Sequence, residues 1–305
     1  MSAPERKIMF GFGPWETGVG DVSGLLRHAA QADRDGLDLF TISDHPYAGG
    51  KLDAYAILGV VLGSTSSLTG AVNVTNLPSR PAPLLSRTVT SLSALSGGRV
   101  ALGLGAGGSW DDIVRMGVTR LSPGAAVRAL EEAIVLIRKL SGGGGPVTFE
   151  GEFYQVYDAP PAPVPAPPVW TGSVGPKSLA VTGRVADGWF PGHASDWRST
   201  LYRESRPRVE EAAASAGRDP SEISTIFNLP GQITDRPLDA TRDADGSWIG
   251  GSVDQWVEEL TSAVVEHGAD GFVYFDFADP APTEVSLGRW AREIVPAVRE
   301  AVAKH

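Results

Sequence analysis

Short apolar segments alternate with amphipathic segments along almost the whole chain. The apolar segments lack regular alternation with polar residues, which is typical of strands covered on both faces of a parallel sheet. Apolar residues at helical spacing follow each of them. The predicted strands are Lys7–Phe12, Leu37–Ile42, Leu68–Thr75, Val100–Leu104, Val169–Gly172, Asp187–Phe190, Ile223–Leu229 and Gly271–Phe277. Eight strand–helix units in one domain of 305 residues predict an α/β fold, a (β/α)8 TIM barrel.

Capping residues indicate where the helices begin. Asp21 and Ser122 each precede a helical pattern and can accept a hydrogen bond from its first turn. Ser252 and Gln255 have the spacing of a capping box. Pro296 lies inside the last helical pattern, where we expect it to bend the helix.

Two segments, 142–168 and 230–251, are longer than ordinary connections within a domain. The first contains a predicted hairpin over 147–156 and a proline-rich run, and the second is polar and rich in glycine. These insertions either cover a site as lids or decorate the surface, and the sequence favours neither interpretation.

Composition excludes several classes of function. The contents of 42% hydrophobic and 20% charged residues are those of a globular protein. No apolar run has the length of a membrane span and the first residues lack a signal-peptide core, which predicts a cytoplasmic protein. The absence of cysteine excludes disulfides and thiolate sites. A net charge of -10 argues against nucleic acids and anionic membranes as partners, because both require clustered Lys and Arg.

Gly103, Gly105 and Gly108 have the G-x-G-x-x-G spacing of a dinucleotide-binding turn. A true fingerprint follows the first strand and opens a helix directly. Here the glycines follow the fourth predicted strand, and the next helical pattern begins only at Pro123. We therefore place them at the C-terminal end of strand four. Because glycine has no side chain, a flat ligand could lie close to the backbone there. A tight turn that requires positive φ explains the run equally well.

Three segments carry a resemblance to a known family. Residues 96–107 (SGGRVALGLGAG), 170–189 (beginning WTGSVGPKSL and ending TGRVADGW) and 43–45 (SDH) resemble the bacterial-luciferase-like superfamily of flavin and deazaflavin oxidoreductases. The resemblance covers nearly the whole chain and implies the same barrel that the strand pattern predicts. It also implies a cofactor site at the C-terminal ends of the strands, which would include Gly105, Ala106 and Gly107.

The turn after the fifth predicted strand is a candidate phosphate site. Two glycines free the backbone, and Pro176 suits the first turn of a helix, so amide groups and the positive helix end would face an anion. The residues we assign to this site are Gly172, Ser173, Val174, Gly175 and Lys177. An ordinary strand–helix turn is the alternative. The resemblance implies that the phosphate of a flavin-type cofactor is held here by the backbone.

His45 is the candidate catalytic residue. Histidine titrates near neutrality, and this one lies at the C-terminal end of a predicted barrel strand. Asp44 would contact the cofactor or fix the loop. The histidines show no spacing typical of metal ligands, so we expect no metal site, and His193 is a weaker site candidate. From the resemblance we also expect a bulge near Val72 and Asn73, often with a cis peptide in relatives, that supports the central ring of the cofactor.

Aromatic residues beyond the strand ends predict a pocket for a small, partly apolar substrate. The residues assigned to it are Trp15, Tyr47, Trp110 and Trp189, for each of which core or loop packing is the alternative. The segment Ala54–Leu62 is apolar nearly all round, which predicts a subunit interface and a homodimer, as is common among the relatives.

The resemblance implies one of two cofactors. The Ser43–His45 and 182–189 segments favour coenzyme F420, a deazaflavin, and an oxidoreductase that transfers a hydride to or from a small organic substrate. The alternative is a monooxygenase that uses FMN. Gly108 stands where the sugar-phosphate dehydrogenases of the deazaflavin branch have a catalytic glutamate, so we expect another substrate. A barrel protein that binds a cofactor without catalysis would need no His45, whereas a metal-dependent barrel hydrolase would need a His-x-His that this chain lacks.

Overall fold

Eight parallel strands close into a barrel within residues 7–15, 17–192 and 196–305, which are the residues that the computed structural model describes. The strands are β1 (Met9–Phe12), β2 (Leu39–Ile42), β3 (Thr69–Asn76), β4 (Val100–Gly105), β5 (Val169–Thr171), β6 (Gly188–Trp189), β7 (Ser224–Pro230) and β8 (Gly271–Phe275). Each strand pairs with its neighbours in chain order, and β8 pairs with β1. The predicted TIM barrel is confirmed. His193 lies outside the described residues.

One helix follows each strand and packs on the outside of the barrel. The helices are α1 (Val22–Arg34), α2 (Ala54–Ser64), α3 (Ala82–Ser96), α4 (Pro123–Lys139), α5 (Pro176–Val185), α6 (Thr200–Ser215), α7 (Val253–His267) and α8, which runs through Thr283–Arg289, Trp290–Ile294 and Val295–Val302. Short helical turns cover Val19–Asp21, Leu77–Ser79, Trp110–Ile113, Val114–Met116, Pro220–Glu222 and Asp276–Ala278. None of the helices in the described ranges has both the length and the apolar character needed to cross a bilayer.

The predicted caps are present. Asp21 accepts a hydrogen bond from the Gly24 amide, and both bonds of the Ser252–Gln255 capping box are formed. Helix α8 is irregular just before Pro296. A π-helical turn at Trp290–Ile294 precedes Pro296, which lies in the first turn of the final α-helical segment.

Two layers of core follow from the alternation of side chains along the strands. The inner layer fills the barrel and contains Leu39, Ala71, Ala101, Trp170, Phe190, Ile226 and Val273. The outer layer lies between strands and helices and consists mainly of aliphatic side chains, among which aromatic rings such as Trp256, Trp290 and Tyr274 pack on one another. The barrel is thus filled below its mouth, which leaves the strand ends as the part of the barrel interior open to a ligand in the described residues.

The two insertions occupy different places. In the first, Val147–Glu150 and Gln155–Ala159 form an antiparallel hairpin, whose tip donates backbone hydrogen bonds to Glu132 on the outer side of α4. This hairpin decorates the surface. The second insertion leaves β7 at the C-terminal end of the barrel, and Arg242 ties it to Glu259 of α7.

Candidate active site

The C-terminal ends of β2, β3, β4 and β5 open into a cavity of about 530 Å³ beside α4. It is lined by many of the residues that the sequence pointed to, although they are far apart along the chain. These are Asp44, His45, Tyr47, Gly105, Ala106, Gly107, Trp110, Gly172, Ser173, Val174 and Gly175.

Five other predicted residues lie outside this cavity. Val72 is buried, Asn73 points into the barrel, Lys177 is exposed, and Trp15 lies at the far side of the barrel mouth against Phe277. The pocket assignment of Trp189 is corrected. Its indole is buried, donates to the Ser173 carbonyl at 2.8 Å and stacks on Tyr202, because the side chain points outward from β6 into the outer core.

The bulge expected in β3 is present. The pairing of β3 with β4 shifts register between Val72 and Thr75, and the peptide bond between Asn73 and Val74 is cis. The bulge brings the Val74 side chain to the floor of the cavity. A Cβ placed on Gly105 or Gly172 would lie 2.8 Å or 3.1 Å from the Val74 methyl groups, so both glycines leave room for this floor.

The glycine run in β4 has two separate causes. A Cβ at Gly103 would lie 2.1 Å from the Val72 carbonyl oxygen, so the close approach of the bulged strand requires glycine. Gly107 has a φ of +98°, which favours glycine in the following turn. Packing against the bulge and turn geometry therefore account for this part of the pattern.

The turn after β5 is built like an anion site. Helix α5 begins after Gly175 and has no side-chain cap among the described residues. Ser173 is 3% exposed, and its hydroxyl finds no hydrogen-bond partner in the part of the chain that the structure describes. A buried hydroxyl without a partner is costly unless a ligand satisfies it, and a helix N-terminus attracts negative charge. These residues fit a phosphate group.

Asp44 fixes the loop at the end of β2. Its carboxylate accepts two hydrogen bonds from Arg80, each 2.7 Å long, and one from the Asn76 amide at 2.9 Å. Arg80 also binds Asp53, the N-cap residue of α2. Of the two roles expected for Asp44, the hydrogen bonds support the structural one. No local sequence signal marked Arg80, because its partners lie 27 and 36 residues away.

His45 is an exposed residue at the wall of the cavity. Its Nδ1 lies 2.8 Å from the Tyr47 hydroxyl, and Nε2 has no hydrogen bond within the described residues. Burial and the positive charge of Lys51 lower the pKa of His45 below its usual value of 6.5, and the nearby Asp44 only partly opposes this. The imidazole is therefore neutral at pH 7. Lys51, like Arg80, was not singled out by any motif.

Within 7–15, 17–192 and 196–305, no group of three or more His, Asp or Glu side chains is arranged to hold a metal ion. The residues present fit an organic, phosphate-bearing ligand with a flat body, which would lie over Val74. The fold and the site together define a TIM-barrel protein with a cofactor-sized site at its C-terminal face.

Comparison with known proteins identifies the family. A sequence model of the family described as luciferase-like monooxygenase matches residues 7–293, and the chain belongs to this family. Two curated relatives are an F420-dependent glucose-6-phosphate dehydrogenase of Nakamurella multipartita, 30% identical over 68% of this chain, and an F420-dependent hydroxymycolic acid dehydrogenase of Mycobacterium tuberculosis, 31% identical over 76%. The matches span 62% and 65% of these relatives, less than two thirds of their length.

Solved structures show the same fold. An F420-dependent secondary alcohol dehydrogenase, in complex with an F420–acetone adduct, superposes with a TM-score of 0.81 over 96% of this chain and 99% of that one, at 21% identity. A riboflavin lyase with modified FMN superposes with a TM-score of 0.80 over 96% and 92%, at 12% identity. At these identities the likeness concerns the barrel itself.

Proposed function

We propose that this protein is an oxidoreductase that transfers a hydride between coenzyme F420 and a small organic substrate. The observation that carries the proposal is the unpaired, buried Ser173 hydroxyl beside the uncapped start of α5, which is a prepared place for the cofactor phosphate. Relatives named as F420-dependent dehydrogenases support the choice of cofactor. Val74, Gly105 and Gly172 would support the ring.

His45 manages the proton that accompanies hydride transfer. Bound F420 supplies a ring carbon that accepts or releases a hydride. Because its pKa is lowered, His45 is neutral at pH 7 and can take the hydroxyl proton of an alcohol that is being oxidised. In the reverse direction the protonated ring returns that proton to the carbonyl oxygen. Tyr47 holds the imidazole at Nδ1, so Nε2 is the atom that exchanges the proton.

The substrate we propose is not a sugar phosphate. Gly108 lines the cavity, and a Cβ at this position would meet nothing within 4 Å. Packing therefore does not require glycine here. Where sugar-phosphate dehydrogenases carry a glutamate at this position, Gly108 brings no carboxylate into the cavity.

We also propose a homodimer through the outer face of α2 and α3. Most of the apolar Ala54–Leu62 segment packs on the barrel, which corrects the reason first given for the interface. The large apolar side chains that remain exposed here are Val60 on α2 and Leu84 and Leu95 on the neighbouring α3. Exposed apolar side chains on adjacent helices favour a partner surface.

A fluorescence titration of the purified protein with F420, and separately with FMN, tests the cofactor. We expect F420 to bind more tightly by at least about tenfold, which corresponds to roughly one well-placed hydrogen bond. Tighter binding of FMN would favour oxygen-dependent chemistry instead. Binding of neither would contradict the assignment of the β5–α5 turn as a cofactor site.

A further inference from the structure

The cavity at the ends of β2 to β5 contains a single carboxylate. Of the described residues that line it, Asp44 is the only Asp or Glu and none is Lys or Arg, so His45 and Tyr47 are its other ionisable groups. The Asp44 side chain is 1% exposed. A carboxylate removed from water to this extent is costly unless a positive charge is bonded to it. The partner of Asp44 therefore controls the charge that the cavity presents to His45.

Arg80 supplies the compensating charge from behind the cavity wall. Its Nε donates to one oxygen of Asp44 and its Nη2 to the other, each at 2.7 Å. Two parallel bonds of this kind fix the plane of a carboxylate as well as its position. The Arg80 side chain is 18% exposed, so little water separates or screens the pair. Arg80 itself does not line the cavity.

Arg80 is in turn held by the first turn of α2. Its Nη2 donates to Asp53 at 2.7 Å, and Asp53 caps α2 by accepting hydrogen bonds from two amides of that turn. The guanidinium lies over the Tyr55 ring, 4.9 Å from its centroid. The Tyr55 hydroxyl shares a hydrogen bond of 2.7 Å with the Thr75 hydroxyl on β3. These contacts keep the charge of Arg80 at a fixed place beside Asp44.

The charge that acts on His45 therefore depends on Arg80. Loss of solvation and the charge of Lys51 lower the pKa of His45, whereas the charge of Asp44 raises it. The described residues that line the cavity from β3, β4, β5 and α4 add no ionisable side chain. Without Arg80, Asp44 would face the imidazole as an unpaired negative charge and would favour its protonated form.

We propose that Arg80 is a positioning residue for the proton transfer: it acts through Asp44, whose carboxylate it holds in place and neutralises, and thereby keeps the imidazole of His45 in its neutral, proton-accepting form. This inference rests on the proposed function, in which His45 is the base. The competing interpretation is that Arg80 only ties the β2 loop to α2. The two interpretations predict different titrations of His45.

An NMR titration of the His45 ring tests the inference without any substrate. The midpoint is measured from the Cε1 proton of the imidazole in the purified protein, and the signal is assigned by its loss in His45→Ala. In Arg80→Gln, which keeps a hydrogen-bond donor but no charge, we expect the midpoint to rise by about one pH unit. Arg80→Lys keeps the charge and should recover most of this change.

Removing the carboxylate should have the opposite effect. In Asp44→Asn we expect the midpoint to fall, because the group that favours the protonated ring is gone. A loop that is only loosened would give the ring more water, and the midpoint would then rise towards 6.5 in this variant as well. This measurement remains decisive if Arg80→Gln does not fold.

The double variant shows whether Arg80 acts through Asp44. In the Asp44→Asn background, Arg80→Gln should change the midpoint by less than half as much as it does in the wild type, because the carboxylate that it exposes is absent. Equal changes in both backgrounds would contradict the inference. Arg138→Gln is the matched control, since Arg138 donates to both oxygens of Asp187 outside the cavity, and its midpoint should equal that of the wild type.

Titration of F420 into the same samples separates this inference from the proposed function. If F420 binds while the midpoint is the same in the wild type and in Arg80→Gln, only the inference fails. If F420 does not bind the wild type, the proposed function fails, whatever the midpoints are. Thermal unfolding of each variant shows that the titrations compare folded proteins.

Discussion

At the scale of single residues, the protonation of His45 depends on its immediate surroundings. One side of the ring packs against the wall of the cavity and loses solvation, and Lys51 is a nearby cation that acts on it. Both effects disfavour the imidazolium form, and Asp44 opposes them only in part, since its carboxylate is already paired with Arg80. This balance lowers the pKa of His45, as its proposed role as a base at neutral pH requires.

Replacing Lys51 changes the pH dependence of the reaction. Alcohol oxidation requires neutral His45, so kcat/KM should fall as the pH drops through a pKa below 6.5. Lys51→Met removes a positive charge, raises the pKa of His45 and should move this acid limb to higher pH. Lys51→Arg keeps the charge and should leave the limb in place. If the acid limb of the kcat/KM profile stays at the same pH in Lys51→Met, a group other than His45 controls it.

Removing the imidazole tests catalysis directly. In His45→Ala we expect turnover to fall by about 10²–10⁴-fold, the usual contribution of a general acid or base. Affinity for F420 should stay unchanged, because the phosphate turn and Val74 are intact. His305→Ala, at the end of the chain, is the matched control and should keep full turnover. Steady-state kinetics beside a fluorescence titration gives both quantities. If turnover is unchanged in His45→Ala, His45 is not the catalytic residue.

At the scale of elements, the β5–α5 turn combines a missing helix cap with an unpaired hydroxyl. Ser199 caps α6 and Ser122 caps α4 through their side chains, whereas α3 and the start of α8, like α5, have no side-chain cap among the described residues. What supports the proposed phosphate site at this end of α5 is the buried Ser173 hydroxyl, which has no hydrogen-bond partner among the described residues.

Ser173→Ala separates binding from stability. A hydroxyl without a protein partner contributes no stabilising hydrogen bond, so the free energy of unfolding without ligand should not decrease. Affinity for F420 should fall about tenfold, since the lost bond goes to a charged phosphate. Ser199→Ala should show the opposite pattern, a loss of about 1 kcal/mol of stability with unchanged affinity. Thermal unfolding and F420 titration measure both variants. Lower stability with unchanged affinity in Ser173→Ala would contradict the phosphate site.

At the scale of the whole molecule, the proposed homodimer depends on the exposed apolar face of α2 and α3. Val60→Lys places a charge among exposed apolar side chains, so we expect the sedimentation coefficient to change from that of a dimer to that of a monomer. Val265→Lys, on the exposed face of α7, should leave the dimer intact. A monomeric wild-type protein, or a Val60→Lys dimer, would rule out this interface.

Local patterns predicted the elements but not all of the site. The helix caps at Asp21 and Ser252 could be predicted from the sequence because their hydrogen-bond partners lie three residues away. The turn at Gly172–Lys177 could also be predicted, because its glycines and proline are close together in the sequence. Its lysine, however, does not line the cavity. Trp189 was misplaced because a two-residue strand carries too little alternation to tell its inner face from its outer face.

The sequence by itself determined the barrel, its order of elements and the loops that form the site, because strand burial, helical spacing and capping act over a few residues. Only the tertiary structure decided which groups meet. The bonds from Asp44 to Arg80 and from Asn73 to Asn228 join residues 36 and 155 positions apart. Closure of the barrel brings them together, and no local pattern encodes which side chains will then remain unpaired.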